Sequence, residues 1–162
     1  MLLRLLNTLQ SCLSTEQYYQ QWINEQIKNY DKKIIFRVDK ESKNRCFATC
    51  PHLQSVLFYI TVSNNMFTIV SDKELKAFIA HEIAHIMDTL VHERDYHKRE
   101  YLADLESVKY GGNYDDLISG LRKTFKKSLE EGLISNIGST KTHPSLDDRI
   151  SNLYCLKRYF EI

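Results

Sequence analysis

A chain of 162 residues, 43% of them hydrophobic, is about one domain long and can bury a core of its own without disulfide staples. Its 22 lysines and arginines nearly balance 21 aspartates and glutamates, which excludes the strong positive field of a nucleic-acid-binding protein and any whole-molecule pull onto anionic lipid. The four cysteines, Cys12, Cys46, Cys50 and Cys155, make neither CxxC pairs nor a disulfide framework, so reduced thiols and a cytoplasmic setting are expected.

The N-terminal "MLLRLLNTLQSC" carries, in LQSC, the outline of a lipoprotein cleavage box, which keeps export or a lipid anchor as the alternative setting. Arg4 and Asn7 cut its apolar run into pieces too short for a signal-peptide core, and the segment reads as an amphipathic helix. No stretch approaches the roughly twenty apolar residues of a membrane span. From Ser14 to Tyr30, Tyr18, Trp22, Ile23 and Ile27 recur at helical spacing, and Ser14 with Gln17 makes a capping box. "KIIFRV" at 33–38 and "SVLFYITV" at 55–62 are rich in β-branched and aromatic residues, and "NRCFATCPH" between them is a short extended piece broken by Pro51.

"SNNMFTIV" reads as a short helix. Ser71 and Glu74 form a second capping box, which opens a helix running to about Val91. A third stretch, Asp95 to Tyr110, stops at Gly111 and Gly112, where glycine suits a left-handed C-cap. Two more helices follow near 114–131 and 144–160, the last beginning with Pro144. The expectation is a single α+β domain over residues 1–162, mostly helical with a sheet of about three strands, the N-terminal helices lying in 1–30 and the core in about 31–162.

The chemistry centres on "AFIAHEIAHIM". Residues four apart on a helix lie about 40° apart around its axis and about 6 Å along it, so His81 and His85 can reach one metal ion. Glu82 then sits beside the ion without ligating it. Zinc with three protein ligands keeps an open position, where water becomes acidic near neutral pH and a carboxylate such as Glu82 can act as general base. The bland alternative is a polar helix face. Phe78, Ile79, Ala80, Ile83, Ala84, Ile86 and Met87 make the helix apolar nearly all round, and buried imidazoles and carboxylates need partners that a metal supplies.

The third ligand comes from His92, Glu93, Asp95, His97 or Glu100. Glu100 is preferred because it shares a helix face with Asp104, which is then placed to orient His81 through its second ring nitrogen. His92 and His97 lie in the polar connection "VHERDYHKRE" and read as solvated loop residues. In "THPSLDDRI", His143 is either a surface histidine or the group that stabilises an oxyanion. Arg149 either pairs with Glu100 or Asp104, holding the last helix to the site, or makes an exposed salt bridge.

The set "FATCPHLQSVLFYITV", "DKELKAFIAHEIAHI", "REYLADLESVKYGG" and "THPSLDDRI" resembles, over about residues 43–155, the catalytic domain of the gluzincin zinc peptidases related to CAAX prenyl endopeptidases and bacterial heat-shock membrane metalloproteases. The resemblance implies one zinc ion on His81, His85 and Glu100, Glu82 as general base, Asp104 behind the ligands and His143 near the oxyanion. It also implies an upper rim at Cys46, Phe47 and Ala48, where substrate adds as an antiparallel strand. Relatives commonly show Asn-Ala-Phe-Ala at that rim, whereas this chain has "RCFA", with Arg45 in first place. The family's usual membrane helices have no counterpart here, and the chain looks like the soluble minigluzincins.

The leading expectation is therefore a monomeric zinc endopeptidase acting on peptides or unfolded protein, with no nucleic-acid or membrane-spanning partner. A competing one is a latent or non-catalytic zinc protein, a possible zymogen, whose cleft is covered by the tail "CLKRYFEI" or the N-terminal helix. A weaker third takes "LRKTFKKSL" as a basic helix on anionic surfaces, against the plainer reading of a solvated helix face.

Overall fold

The computed structural model describes residues 13–40, 44–49, 56–87, 95–134 and 138–160. The amphipathic reading of the first twelve residues, the extension of the HExxH helix to Val91, and Cys12, Cys50, His92 and Glu93 fall outside these ranges.

Helix α1 spans Thr15–Gln26 and opens on the expected capping box: the Gln17 amide donates to Ser14 Oγ at 3.3 Å and the Ser14 amide to Gln17 Oε1 at 2.9 Å. Three strands follow, β1 (Lys33–Asp39), β2 (Cys46–Thr49) and β3 (Leu57–Ser63). They form one sheet in the order β1-β3-β2, with β1 parallel to β3 and β2 antiparallel to it. The free edge of β1 is covered by side chains of α1. Gln20 donates to Ile34 O and accepts from Phe36 N, both at 2.8 Å, and Glu16 accepts from Val38 N at 3.1 Å. Such pairing blunts an edge that would otherwise template another strand. It leaves β2 as the edge with backbone groups to offer.

After the short helix α2 (Met66–Ile69), α3 spans Asp72–Met87 and carries the HExxH sequence. It lies between two apolar clusters. Ile79 and Ile83 face Ile23, Ile34, Ile60 and Val62 of α1 and the sheet, while Ala77 and Phe78 face Leu117, Leu121, Ile150 and Leu153. Truncating any of these fully enclosed aliphatic side chains to Ala costs about 2–5 kcal/mol, because the rigid surroundings do not collapse onto the cavity. The helix that holds the histidines is thus fixed from both sides.

The second capping box forms as expected, and Glu74 extends it across the molecule. Its carboxylate accepts from the Ser71 amide at 2.7 Å, from Ser119 Oγ at 2.5 Å and from Lys123 Nζ at 2.9 Å, the last two on α5. Burial by itself would raise the Glu74 pKa, but these donors outweigh it and hold the group at about 2, below its ordinary 4.5. A carboxylate with a depressed folded pKa stabilises the fold above its unfolded value, and that contribution drains away as pH falls from about 4.5 towards 2. Glu74→Gln is therefore expected to lose about 1–3 kcal/mol at pH 7 and to show a smaller further loss between pH 5 and pH 2.5 than the wild type, as read by chemical denaturation at each pH.

Helix α4 spans Tyr96–Glu106, capped by Asp95, whose side chain accepts from the amides of His97 and Lys98. It passes into a 3-10 turn, Ser107–Tyr110, that ends at Gly111 with φ 80°, the left-handed cap anticipated for glycine. Helix α5 spans Tyr114–Glu130 and crosses α3 at Gly120, where an added Cβ would stand 2.7 Å from Phe78 Cε2. The basic face of α5 is the solvated one. Leu121 and Thr124 point inward, while Lys126 and Lys127 pair with Glu130 and Glu131.

Helix α6 spans Leu146–Phe160. It starts two residues later than Pro144, because the Ser145 hydroxyl accepts from the Asp148 amide at 3.1 Å and so takes the capping place. The described residues thus form an α+β fold, helical in the main, around one three-stranded sheet. Among them, no helix is long and apolar enough to cross a membrane, and Cys46 and Cys155 are free thiols.

Candidate metal and catalytic site

Two helices converge beside β2. From α3 come His81 and His85, whose Nε2 atoms lie 3.0 Å apart. From α4 comes Glu100, with Oε1 at 3.2 Å from His85 Nε2 and Oε2 at 3.5 Å from His81 Nε2. These are the separations that a single small cation explains, since ligand atoms about 2.0–2.1 Å from a tetrahedral zinc stand about 3.3 Å from one another. The chemistry of the donors agrees. His81 Nδ1 lies 2.8 Å from Asp104 Oδ1, which would keep a proton there and leave Nε2, facing His85 and Glu100, as the atom to ligate a metal. His81, His85 and Glu100 form the one group of its kind among the described residues, and the set fits zinc. His85 Nδ1 is buried and finds no hydrogen-bond partner among the described residues.

Behind His81, His85 and Glu100 lies a buried ionic cluster. Asp104 is fully enclosed and receives Arg149 through two bonds, Nε to Oδ2 at 3.1 Å and Nη2 to Oδ1 at 2.5 Å. Arg149 Nη1 also lies 3.4 Å from Glu100 Oε2. At 7% exposure, Arg149 is no surface ion pair, so the plainer sequence reading of an exposed salt bridge does not hold. Burial opposes ionisation of both acids, yet each is held below the usual carboxylate range: Glu100 chiefly by hydrogen bonds with His81 and His85, Asp104 chiefly by the Arg149 charge.

Glu82 faces the space beside the ligand atoms. The Ala48 amide of β2 donates to its Oε2 at 2.8 Å, so the rim strand and the carboxylate are joined directly. Burial raises the Glu82 pKa above its ordinary value. Burial, with Glu82 next to it, also pushes the Cys46 thiol well above its usual range, which keeps it protonated and makes it a poor nucleophile. Cys46, Phe47 and Ala48 all line a cleft of about 570 Å³ that contains His81, Glu82, His85, Glu100 and His143.

His143 enters from the segment before α6. Its Nε2 is 3.9 Å from Glu100 Oε1, its Nδ1 is 2.9 Å from Thr142 Oγ1, and over half of its side chain is exposed. The His143 segment is pinned by a residue that sequence reading assigned to a solvated loop. His97 lies in the first turn of α4, and its Nε2 sits 2.7 Å from Thr140 O. Because a carbonyl only accepts, His97 Nε2 carries the proton and donates. The signal was present in "DYHKRE": with Asp95 as cap, His97 and Glu100 are three apart on one helix and share a face.

The family model for peptidase family M48 matches residues 16–96, which is 81 of the 162 residues. The chain belongs to peptidase family M48. No curated protein and no solved structure matches it. M48 membership makes this chain a member of a zinc metallopeptidase family, and the matched stretch holds α1, the sheet and the whole HExxH helix. Glu100, Asp104, His143 and Arg149 of this M48 chain lie beyond the match, and it is the fold that brings them to the two histidines.

Proposed function

We infer that this M48 protein is a zinc endopeptidase with one metal ion held by His81, His85 and Glu100. The observation that carries the reading is the closure of three metal-competent atoms, from two helices, within 4.8 Å of one another, with Glu82 bonded to the rim strand alongside. Zinc bound there supplies Lewis-acid polarisation of a carbonyl oxygen and acidifies water. Glu82 takes a proton from the attacking water and passes it to the leaving amine, and its raised pKa suits both halves of that task. Thr142 Oγ1 lies 2.9 Å from His143 Nδ1, and in the tautomer where that hydroxyl donates, His143 carries its proton on Nε2 and can hydrogen-bond the oxyanion. Asp104 fixes the His81 tautomer, and Arg149 neutralises the acid behind it.

Substrate is an extended peptide. The β1 edge is closed by Gln20 and Glu16, whereas β2 presents its outer edge to the cleft, with only the Ala48 amide engaged, by Glu82, among its described residues, and a peptide can lie antiparallel along it. An edge of this kind takes a chain anywhere along its length, which favours endopeptidase action. The described tail of α6 does not cover the cleft, and Tyr159 is 82% exposed.

The deciding experiment is cleavage of unfolded casein by zinc-loaded protein. Cleavage that stops with a chelator and returns with one equivalent of zinc supports the reading, and His85→Ala is expected to bind no zinc and cut nothing. Casein left intact by protein with zinc bound would sink it. The anchor on the His143 segment gives a second expectation. His97→Ala should lower kcat on the order of ten- to a hundredfold with zinc content unchanged, and His97→Gln, which retains an N–H donor, should recover much of the loss. Steady-state kinetics on a fluorogenic peptide would separate the two variants.

A further inference from the structure

Among the described residues, two arginines line the cleft with no carboxylate paired to them. Arg45, just before β2, lies with its guanidinium carbon 4.9 Å from the centre of the Phe47 ring. Stacked through its face, a guanidinium leaves its N–H edges for a ligand. Arg99, on α4 immediately before Glu100, also lines the cleft, and its Nε is shut off from solvent without a hydrogen-bond partner among the described residues. A buried donor in this condition is completed by an incoming acceptor.

The acids in the cleft are already taken. Glu82 accepts from the Ala48 amide, and Glu100 is engaged by His81, His85 and Arg149. Arg149 in turn is bound by Asp104, so it offers nothing to a substrate. What remains available among the described lining residues is cationic: Arg45 just before β2 and Arg99 on α4. Resting on the peptidase reading above, we propose that Arg45 and Arg99 form a carboxylate-binding subsite, so that the enzyme selects peptides carrying Asp or Glu beside the cleaved bond. A carboxylate matches the guanidinium fork through paired N–H···O bonds, and a lysine at the same place meets like charge.

The test uses zinc-loaded full-length protein and a set of acetylated, amidated peptides that differ only in having Glu, Gln or Lys beside the cleaved bond. Capped ends make the side chain the sole variable carboxylate. kcat/KM is expected to favour Glu over Gln by about tenfold, with Lys poorest, and the gap should narrow in 1 M salt because the charges meet at a solvent-open cleft. In Arg45→Gln/Arg99→Gln the Glu-to-Gln ratio should fall to within about twofold. If the double variant does not fold, Arg45→Gln alone, at an exposed position, should reduce the ratio in part.

Equal rates on Glu and Gln peptides, or a preference that survives both substitutions, would overturn the proposal. Binding of labelled peptides to Glu82→Gln, followed by anisotropy, separates its failure from that of the peptidase reading. Selective capture of the Glu peptide without any wild-type cleavage would remove the peptidase reading and keep the subsite. Cleavage indifferent to acid does the reverse.

Discussion

Glu82→Gln is expected to cut peptide hydrolysis by about 10³-fold or more while zinc stays bound at one per chain. Glu82 contributes no atom to the converging ligand set, so its amide analogue leaves His81, His85 and Glu100 as they are. Gln retains an oxygen that can accept from the Ala48 amide, so the tie between α3 and β2 survives. What it loses is the ability to take and return a proton. Burial already disfavours the charged form of Glu82, so removing the charge should leave the melting temperature unchanged or raised, the usual exchange of stability for function at a working site. Kinetics on casein or a fluorogenic peptide, metal analysis and a thermal melt together test this. A variant that cuts at the wild-type rate would remove Glu82 from the mechanism, and one that loses zinc would make it a ligand.

The other large effect belongs to Asp104→Ala. Its carboxylate is fully buried and serves His81 on one side and Arg149 on the other. Deleting it strands a guanidinium inside the protein, with Glu100, 3.4 Å away, as the acid left in ion-pair range among the described residues. Breaking a buried pair from one side costs about 3–5 kcal/mol. In a domain of this size that corresponds to a melting temperature lower by roughly 10 °C. Freed from Asp104, His81 also loses the bond that fixes its tautomer, and zinc affinity should fall 10- to 100-fold, measured by competition with a chelating dye. Replacing both partners, Asp104→Leu with Arg149→Met, should recover stability without recovering zinc affinity. If affinity returns as well, Asp104 acts through packing alone and does not orient the ligand.

The Glu100 position shows where sequence reasoning reached its limit. Helical geometry by itself assigns His81 and His85 to one ion, because the i and i+4 relation is local and the apolar residues around it bury the helix. For the third ligand it left five candidates, with Glu100 preferred for sharing a helix face with Asp104, and only the packing of α4 against α3 sets that carboxylate beside the histidines. His97 was misread for the same reason: a loop and a capped first helical turn differ by where Asp95 points its side chain, and what His97 holds is Thr140, 43 residues away. Arg149 could be taken for a surface ion pair until the fold enclosed it beside Asp104.

Local patterning determined the elements: the two capping boxes, the three β-rich segments, the glycine that ends the 3-10 turn, and the histidine pair on one helix face. Each depends on residues a few positions apart, where backbone geometry fixes the outcome. Tertiary structure decided the rest. The strand order that exposes β2 and closes β1, the arrival of Glu100 beside the histidines, the enclosure of Asp104 with Arg149, and the meeting of Arg45 and Arg99 in one cleft all arise between residues distant in the chain, where packing and burial choose the partners.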